Sequence, residues 1–192
     1  MKKISLILML VFISLMIDYT DAKADDGSEI VKFSDNDVET IVKKQLSIPI
    51  DEPVTKAQME QLKTFKNKDS SIEITSFEGL EYGTNLTYFS VFDSQITDFS
   101  FLHHFPDLEV LSIQRQNFDV VTLPDLDYFS KLLAVDFSRT NSNNILADKI
   151  GMSDTISEVN ISYNSGITDI SKFADMDALS VCNVQFCGIV HF

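Results

Sequence analysis

The chain is 192 residues long, 44% hydrophobic and 10% aromatic, so it can bury a core and is not a disordered tail. Its 15 Lys and Arg stand against 29 Asp and Glu, a formal net charge of −14. That balance repels phosphate and anionic lipid, which argues against nucleic acid as a partner and favours basic surfaces.

The first residues read as an export signal. Lys2 and Lys3 form a basic start, Ile4 to Ile17 is mostly apolar, and Ala22-Lys23-Ala24 supplies small residues for cleavage. The apolar run is shorter than the roughly 20 residues a spanning helix needs. Residues 1–24 are therefore expected to be a signal peptide, leaving no transmembrane anchor in the mature chain. Its removal takes away three Lys and two Asp and moves the net charge from −14 to −15. The expected location is secreted or extracellular, with cell-surface association as the alternative to free release.

Residues 25–61 carry a helical pattern. Ser34-Asp35-Asn36-Asp37 resembles a capping box, with Phe33 and Val38 placed as its hydrophobic staple. Val38, Ile41, Val42 and Leu46 follow at helical spacing. Thr55-Lys56-Ala57-Gln58 repeats the device, with Val54 and Met59 as staple. Two short helices joined by the Pro-containing loop 48–54 would cover one end of a repeat array.

From residue 62 the chain repeats itself. Five segments open at Leu86, Leu108, Leu132, Ile156 and Leu179, spaced by 22, 24, 24 and 23 residues. Positions 1, 4 and 6 of every segment are apolar, from Leu86, Phe89 and Val91 to Leu179, Cys182 and Val184. This is the L-x-x-L-x-L pattern of leucine-rich repeats. Positions 4 and 6 turn inward on a short strand, and stacked coils share one core that no single coil could bury. A degenerate sixth copy precedes them: Leu62, Phe65 and Ile72, completed by Ile74, Phe77 and Leu80 after a two-residue insertion. The fold expected is an α/β leucine-rich-repeat solenoid with a parallel concave sheet. Ile189-Val190-His191-Phe192 aligns with Ile96-Thr97-Asp98-Phe99, so residues 62–192 are expected to lack a C-terminal cap. The strand near Val181 would then be an open edge that self-associates or frays.

The segments "FSDNDVETIVKKQL", "VTKAQMEQLKTF", "ITSFEGLEYGTNLTYFSV" and "ITDISKF" resemble the internalin family of exported Gram-positive leucine-rich-repeat proteins. The resemblance covers about residues 30–192. It implies short 3₁₀ turns on the convex side and a concave sheet that binds proteins, notably host-cell receptors, in virulence. Departures from the family pattern are visible. The Asn of position 9 stands only at Asn164, with Ser94, Gln116, Thr140 and Cys187 elsewhere. The third full repeat replaces its return motif with "NSNNILADKIGMSDT", and no Ig-like domain or L-P-x-T-G sorting motif follows.

Catalytic signatures are missing: there is no H-E-x-x-H, G-x-S-x-G or glycine-rich phosphate loop, so no enzyme activity and no cofactor are expected. His103 and His104 read as an exposed turn pair. Cys182, Cys187 and His191 could suggest zinc, but register makes Cys182 an inward position and Cys187 a substitute for the ladder Asn, so two packed thiols are expected, with a disulfide as the alternative in an oxidising compartment, and no metal. Outward positions 3, 5, 7 and 8 hold the candidate partner-binding residues: Tyr88, Phe92, Gln114, Arg115, Asp136, Arg139, Tyr163 and Phe186. None of these is needed apolar or cationic for folding, and aromatics and Arg are enriched in binding hot spots. A non-enzymatic module that binds a protein ligand is the leading expectation. The alternatives are a truncated repeat protein without a partner and an envelope glycan-binding module.

Overall fold

A computed structural model describes residues 28–190. The expected signal segment 1–24 lies outside them, as do His191 and Phe192. Helices α1 (Asn36–Leu46) and α2 (Lys56–Met59) come first. Six strands follow: β1 (Thr64–Lys66), β2 (Tyr88–Phe92), β3 (Val110–Gln114), β4 (Ala134–Asp136), β5 (Glu158–Asn160) and β6 (Val181–Asn183). They form one sheet in sequence order, every neighbouring pair parallel. Each strand is followed by a return segment to the start of the next, which makes the molecule an α/β leucine-rich-repeat solenoid. Register follows the sequence alignment residue for residue. Thr64, Tyr88, Val110, Ala134, Glu158 and Val181, all third positions, lie side by side.

Positions 1, 4 and 6 are buried in the four full coils from Leu86 to Ile161. Much of this core is phenylalanine. Phe65 stacks on Phe89 with ring centroids 5.6 Å apart, and edge-on or tilted ring contacts continue through Phe77 and Phe99 to Phe118 and Phe137. Each fully buried ring contributes about 1.5–3 kcal/mol of transfer free energy, and paired rings add to that. The degenerate first copy breaks the rule at position 6. Asn67, just past the last pair of β1 and β2, donates its N–H to Ser90 O, is buried, and uses its side-chain oxygen to accept from Asp69 N at 2.9 Å.

After each strand the chain makes one sharp turn. Position 8 adopts a left-handed conformation in all five full copies: Asp93, Arg115, Arg139, Tyr163 and Phe186 have φ between 54° and 61°. For L-residues this costs about 1–2 kcal/mol each. In return, the N–H at position 8 reaches the position 7 carbonyl of the next coil. Asp93 N donates to Gln114 O, Arg115 N to Ser138 O, Arg139 N to Ser162 O and Tyr163 N to Gln185 O, at 2.8–3.0 Å. The same turn drives position 9 inward, where its side chain replaces backbone partners. Asn164 Oδ1 accepts from Thr140 N, Thr140 Oγ1 and Ser142 N, while its Nδ2 donates to Phe137 O and Ile161 O. Gln116 accepts from Ser94 N and Oγ, and Cys187 Sγ donates to Ile161 O at 3.1 Å. The substitutes for the missing Asn residues therefore still place polar side chains in an interior spine, buried from Ser94 to Thr140 and half-buried at Cys187.

The helical segment differs from expectation by one residue. The N-cap of α1 is Asp35 rather than Ser34, whose hydroxyl instead bonds the Glu78 carboxylate. Asp35 Oδ1 accepts from Asp37 N and Val38 N; Oδ2 accepts from Thr75 N and Thr75 Oγ1 at 2.7 and 2.9 Å. One carboxylate thus caps α1 and ties it to the first coil. Burial opposes its ionisation, but the hydrogen bonds from Thr75, Val38 and Asp37 outweigh that and hold it below the usual carboxylate range. Phe33, displaced from the staple role, lies over Gly79, whose φ of 98° and missing side chain make room for it. The second box forms as expected: Gln58 N donates to Thr55 Oγ1 and Thr55 N to Gln58 Oε1, with Val54 and Met59 buried. Gln45 of α1 can accept from Lys66 N at 3.0 Å and donate to Thr64 O, covering the outer edge of β1.

Return segments are mostly short 3₁₀ turns, such as Ser100–His104 and Ser171–Asp175. The coil after β4 is different. "NSNNILADKIGMSDT" folds as a third helix, α3 (Asn144–Ile150), capped by Asn143 and burying Leu146, Ala147 and Ile150. Cys182 also departs from expectation. It pairs in register with Val159 at an inward position, yet it is exposed, because no further coil covers it among the described residues.

Candidate binding face

The left-handed turns put position 8 on a rim beside the concave sheet, and there the aromatic and Arg side chains meet. Arg139 Cζ lies 3.7 Å from the centroid of the Tyr163 ring, and Tyr163 stacks on Phe186 at 4.5 Å with the rings 20° from parallel. Three planar groups from three successive coils therefore form one stack. Tyr163 is 41% and Phe186 68% exposed, so the stack faces solvent. A second pair joins the rim to the sheet: Arg115 Cζ stands 5.2 Å from the Phe92 ring. Arg115 and Arg139 also line one cleft with Asp93 and Gln116. Such cation–π contacts are worth about 0.5–1 kcal/mol at exposed sites.

The remaining candidates lie on the sheet itself. Asp136 sits at its middle, with Oδ1 accepting from Ser138 N at 2.9 Å and Oδ2 from Asn160 Nδ2 at 3.1 Å. Gln114 donates to Ser112 Oγ. Tyr88 stands apart near β1, where Lys66 Nζ is 5.9 Å from its ring. The structure thus brings Phe92 to Arg115, and Arg139 to Tyr163 and Phe186, but gives Tyr88 no part in either group. Three outward serines, Ser90, Ser112 and Ser162, are buried by their neighbours and offer little contact surface.

The other sequence candidates serve the fold. His103 and His104 are exposed on a 3₁₀ turn, where His103 Nδ1 bonds Ser100 O and its carbonyl accepts from Tyr128. Although Cys182 is largely open to solvent, partial desolvation by its neighbours raises its thiol pKa, with Cys187 adding to the effect, and partial burial raises that of Cys187. A hollow of about 590 Å³ on the return side is lined by Glu78, Glu81 and Asp98. Those carboxylates are engaged with Ser34, Gly79 N and Ser100 N respectively, so they fasten local turns. Among the described residues no helix is long and apolar enough to cross a membrane.

No protein-family model matches the chain, and no curated protein matches it significantly in sequence. Solved structures do match. An internalin (inlF) from Listeria monocytogenes superposes with a TM-score of 0.68 at 22% identity, over 82% of this chain and 45% of that one. The functional domain of InlJ from the same organism, which includes a cysteine ladder, gives 0.56 at 16% identity over 83% and 38%. A secreted internalin-like protein of Listeria monocytogenes gives 0.51 at 15% identity over 78% and 54%. The chain spans only about half the length of these structures or less. Parallel sheet, 3₁₀ returns and these likenesses together place it: the chain has the internalin-like leucine-rich-repeat fold.

Proposed function

We propose that this protein is an exported, non-enzymatic binding module that recognises another protein, of a host or a cell surface, through its concave sheet and rim. The observation that carries the reading is the Arg139–Tyr163–Phe186 stack. The turn at position 8 requires a left-handed backbone, which glycine adopts at least cost, yet large planar side chains stand there in solvent. Rigid aromatic and Arg groups already held in place lose little entropy on binding, which is the property of an anchor. Tyr88, Phe92, Gln114, Arg115 and Asp136 supply the surrounding contacts. Residues 1–24 act as the export signal, 25–61 as the helical cap and 62–192 as the repeats.

Two experiments test it. Protein collected from culture medium should begin at Asp25, and retention of Met1 on the mature protein contradicts export. Fluorescently labelled protein should bind animal-cell surfaces saturably. Changing Tyr88, Phe92 and Tyr163 together to Ala should abolish that binding while far-UV circular dichroism stays unchanged. Binding that survives these changes but is lost on altering His103 and His104 would assign the face to the convex side instead.

A further inference from the structure

Away from the stacked rim, the middle of the concave sheet holds a hollow of about 220 Å³. It exists because Ala134 is the smallest side chain of its row, flanked by Val110 on β3 and Glu158 on β5. Val110, Ala134 and Val181 give it an apolar floor, and two carboxylates, Asp136 and Glu158, stand over that floor. No Lys or Arg lines it, and neither carboxylate forms an ion pair among the described residues. Asp136 is held in orientation by Ser138 N and Asn160 Nδ2. Two uncompensated negative charges in a concavity focus the field and draw in a cation.

We propose that this hollow is a subsite for a lysine side chain of the protein partner. The proposal rests on the reading of the concave face as protein-binding. The aliphatic stem lies along Val110 and Ala134, and the ammonium group meets Glu158 on the next strand and Asp136, so apolar and charged parts of one side chain find matching surfaces. Lysine fits better than arginine. The Asp136 oxygens are already engaged at fixed angles, which a rotatable ammonium tolerates and a planar bidentate fork does not.

The test needs no protein partner. The ¹⁵N-labelled full chain is titrated by NMR with Nα-acetyl-lysine amide and with Nα-acetyl-norleucine amide, which keeps the four-carbon stem and lacks the ammonium group. Lysine should shift the amides of Ala134, Glu158 and Asn160, and norleucine should not. Glu158→Gln should weaken the lysine response about tenfold. Ala134→Leu fills the hollow without touching either carboxylate, and should abolish the response while the rest of the spectrum stays native. Lysine shifts centred on Glu78, Glu81 or Asp98, an equal response to norleucine, or a response untouched by Glu158→Gln would each overturn the proposal. Because the probe is a single amino acid, failure here leaves protein capture by the rim standing. Failure to find a protein partner likewise leaves this titration unaffected.

Discussion

Positions 8 and 9 of each coil are adjacent in the chain and opposite in role. Position 9 is buried from Ser94 to Asn164, and each side chain there bonds backbone or a neighbouring spine residue. Position 8 is exposed from Arg115 onward, and its side chains touch mainly one another. One left-handed turn produces both results, since it points one residue in and the previous one out. The inner side chain is constrained by the backbone groups it must pair; the outer one is constrained only by its left-handed backbone, not by packing or hydrogen bonds of the core. Identity at position 8 is therefore where a leucine-rich coil can specialise without disturbing its core, at the cost of a left-handed L-residue.

The strongest way to break this division is at its buried side. Asn164→Ala removes the acceptor of Thr140 N and Ser142 N and the donor to Phe137 O and Ile161 O, leaving several buried backbone groups unpaired. Urea unfolding should show a loss of about 4 kcal/mol. A loss under about 1 kcal/mol would mean that the spine does not hold the coils. Asp35 does the equivalent work at the helical end. Asp35→Ala should cost about 2–3 kcal/mol at neutral pH, from a lost N-cap and a lost tie to Thr75. Asp35→Asn should cost less, because Asn also caps well. Since the folded carboxyl is held below its ordinary range, its contribution is complete above that range and is lost as pH falls through the lowered value. The difference between wild type and Asp35→Asn should therefore shrink on acidification below about pH 4. A difference that grows instead contradicts the assignment.

Exposed changes should be smaller. A double-mutant cycle on Arg139→Ala and Tyr163→Ala should give a coupling of about 0.5–1 kcal/mol, as expected for an exposed cation–π pair. The smallest effect should come from Asp93→Gly. Relief of the left-handed backbone and the greater chain entropy of glycine nearly cancel, leaving a change within about 0.5 kcal/mol of zero by thermal unfolding.

Much of this architecture was legible in the chain because apolar spacing dictates which residues can share a core. The 22- to 24-residue echo placed every strand in its observed register, including β1. What was not legible depended on competition between neighbours. Ser34 and Asp35 are both good caps, and only the tie to Thr75 selects Asp35. In "NSNNILADKIGMSDT" the helix signal was present, with Asn143 as cap, Leu146, Ala147 and Ile150 on one face and Lys149 in the last turn. Set against the 22-residue pattern, the segment registers only as a lost return motif, which masks its helical spacing. The candidate binding residues were visible as aromatics and Arg on outward positions. Their stacking was not, since it requires the left-handed turn and contact across coils 23 or 24 residues apart. The hollow over Ala134 needed the register to reveal it as well.

The most direct test of the division between fold and binding is a paired measurement on Arg139→Ala with Tyr163→Ala. Thermal midpoint and cell-surface affinity are read on the same preparation. A loss of about 1 kcal/mol in stability corresponds to a midpoint shift of roughly 2–4 °C. Removing a true hot spot raises the dissociation constant about 30-fold. The account predicts that small shift together with that large loss of affinity. A double variant that unfolds far below the wild-type midpoint, or one that binds as tightly as wild type, would contradict it.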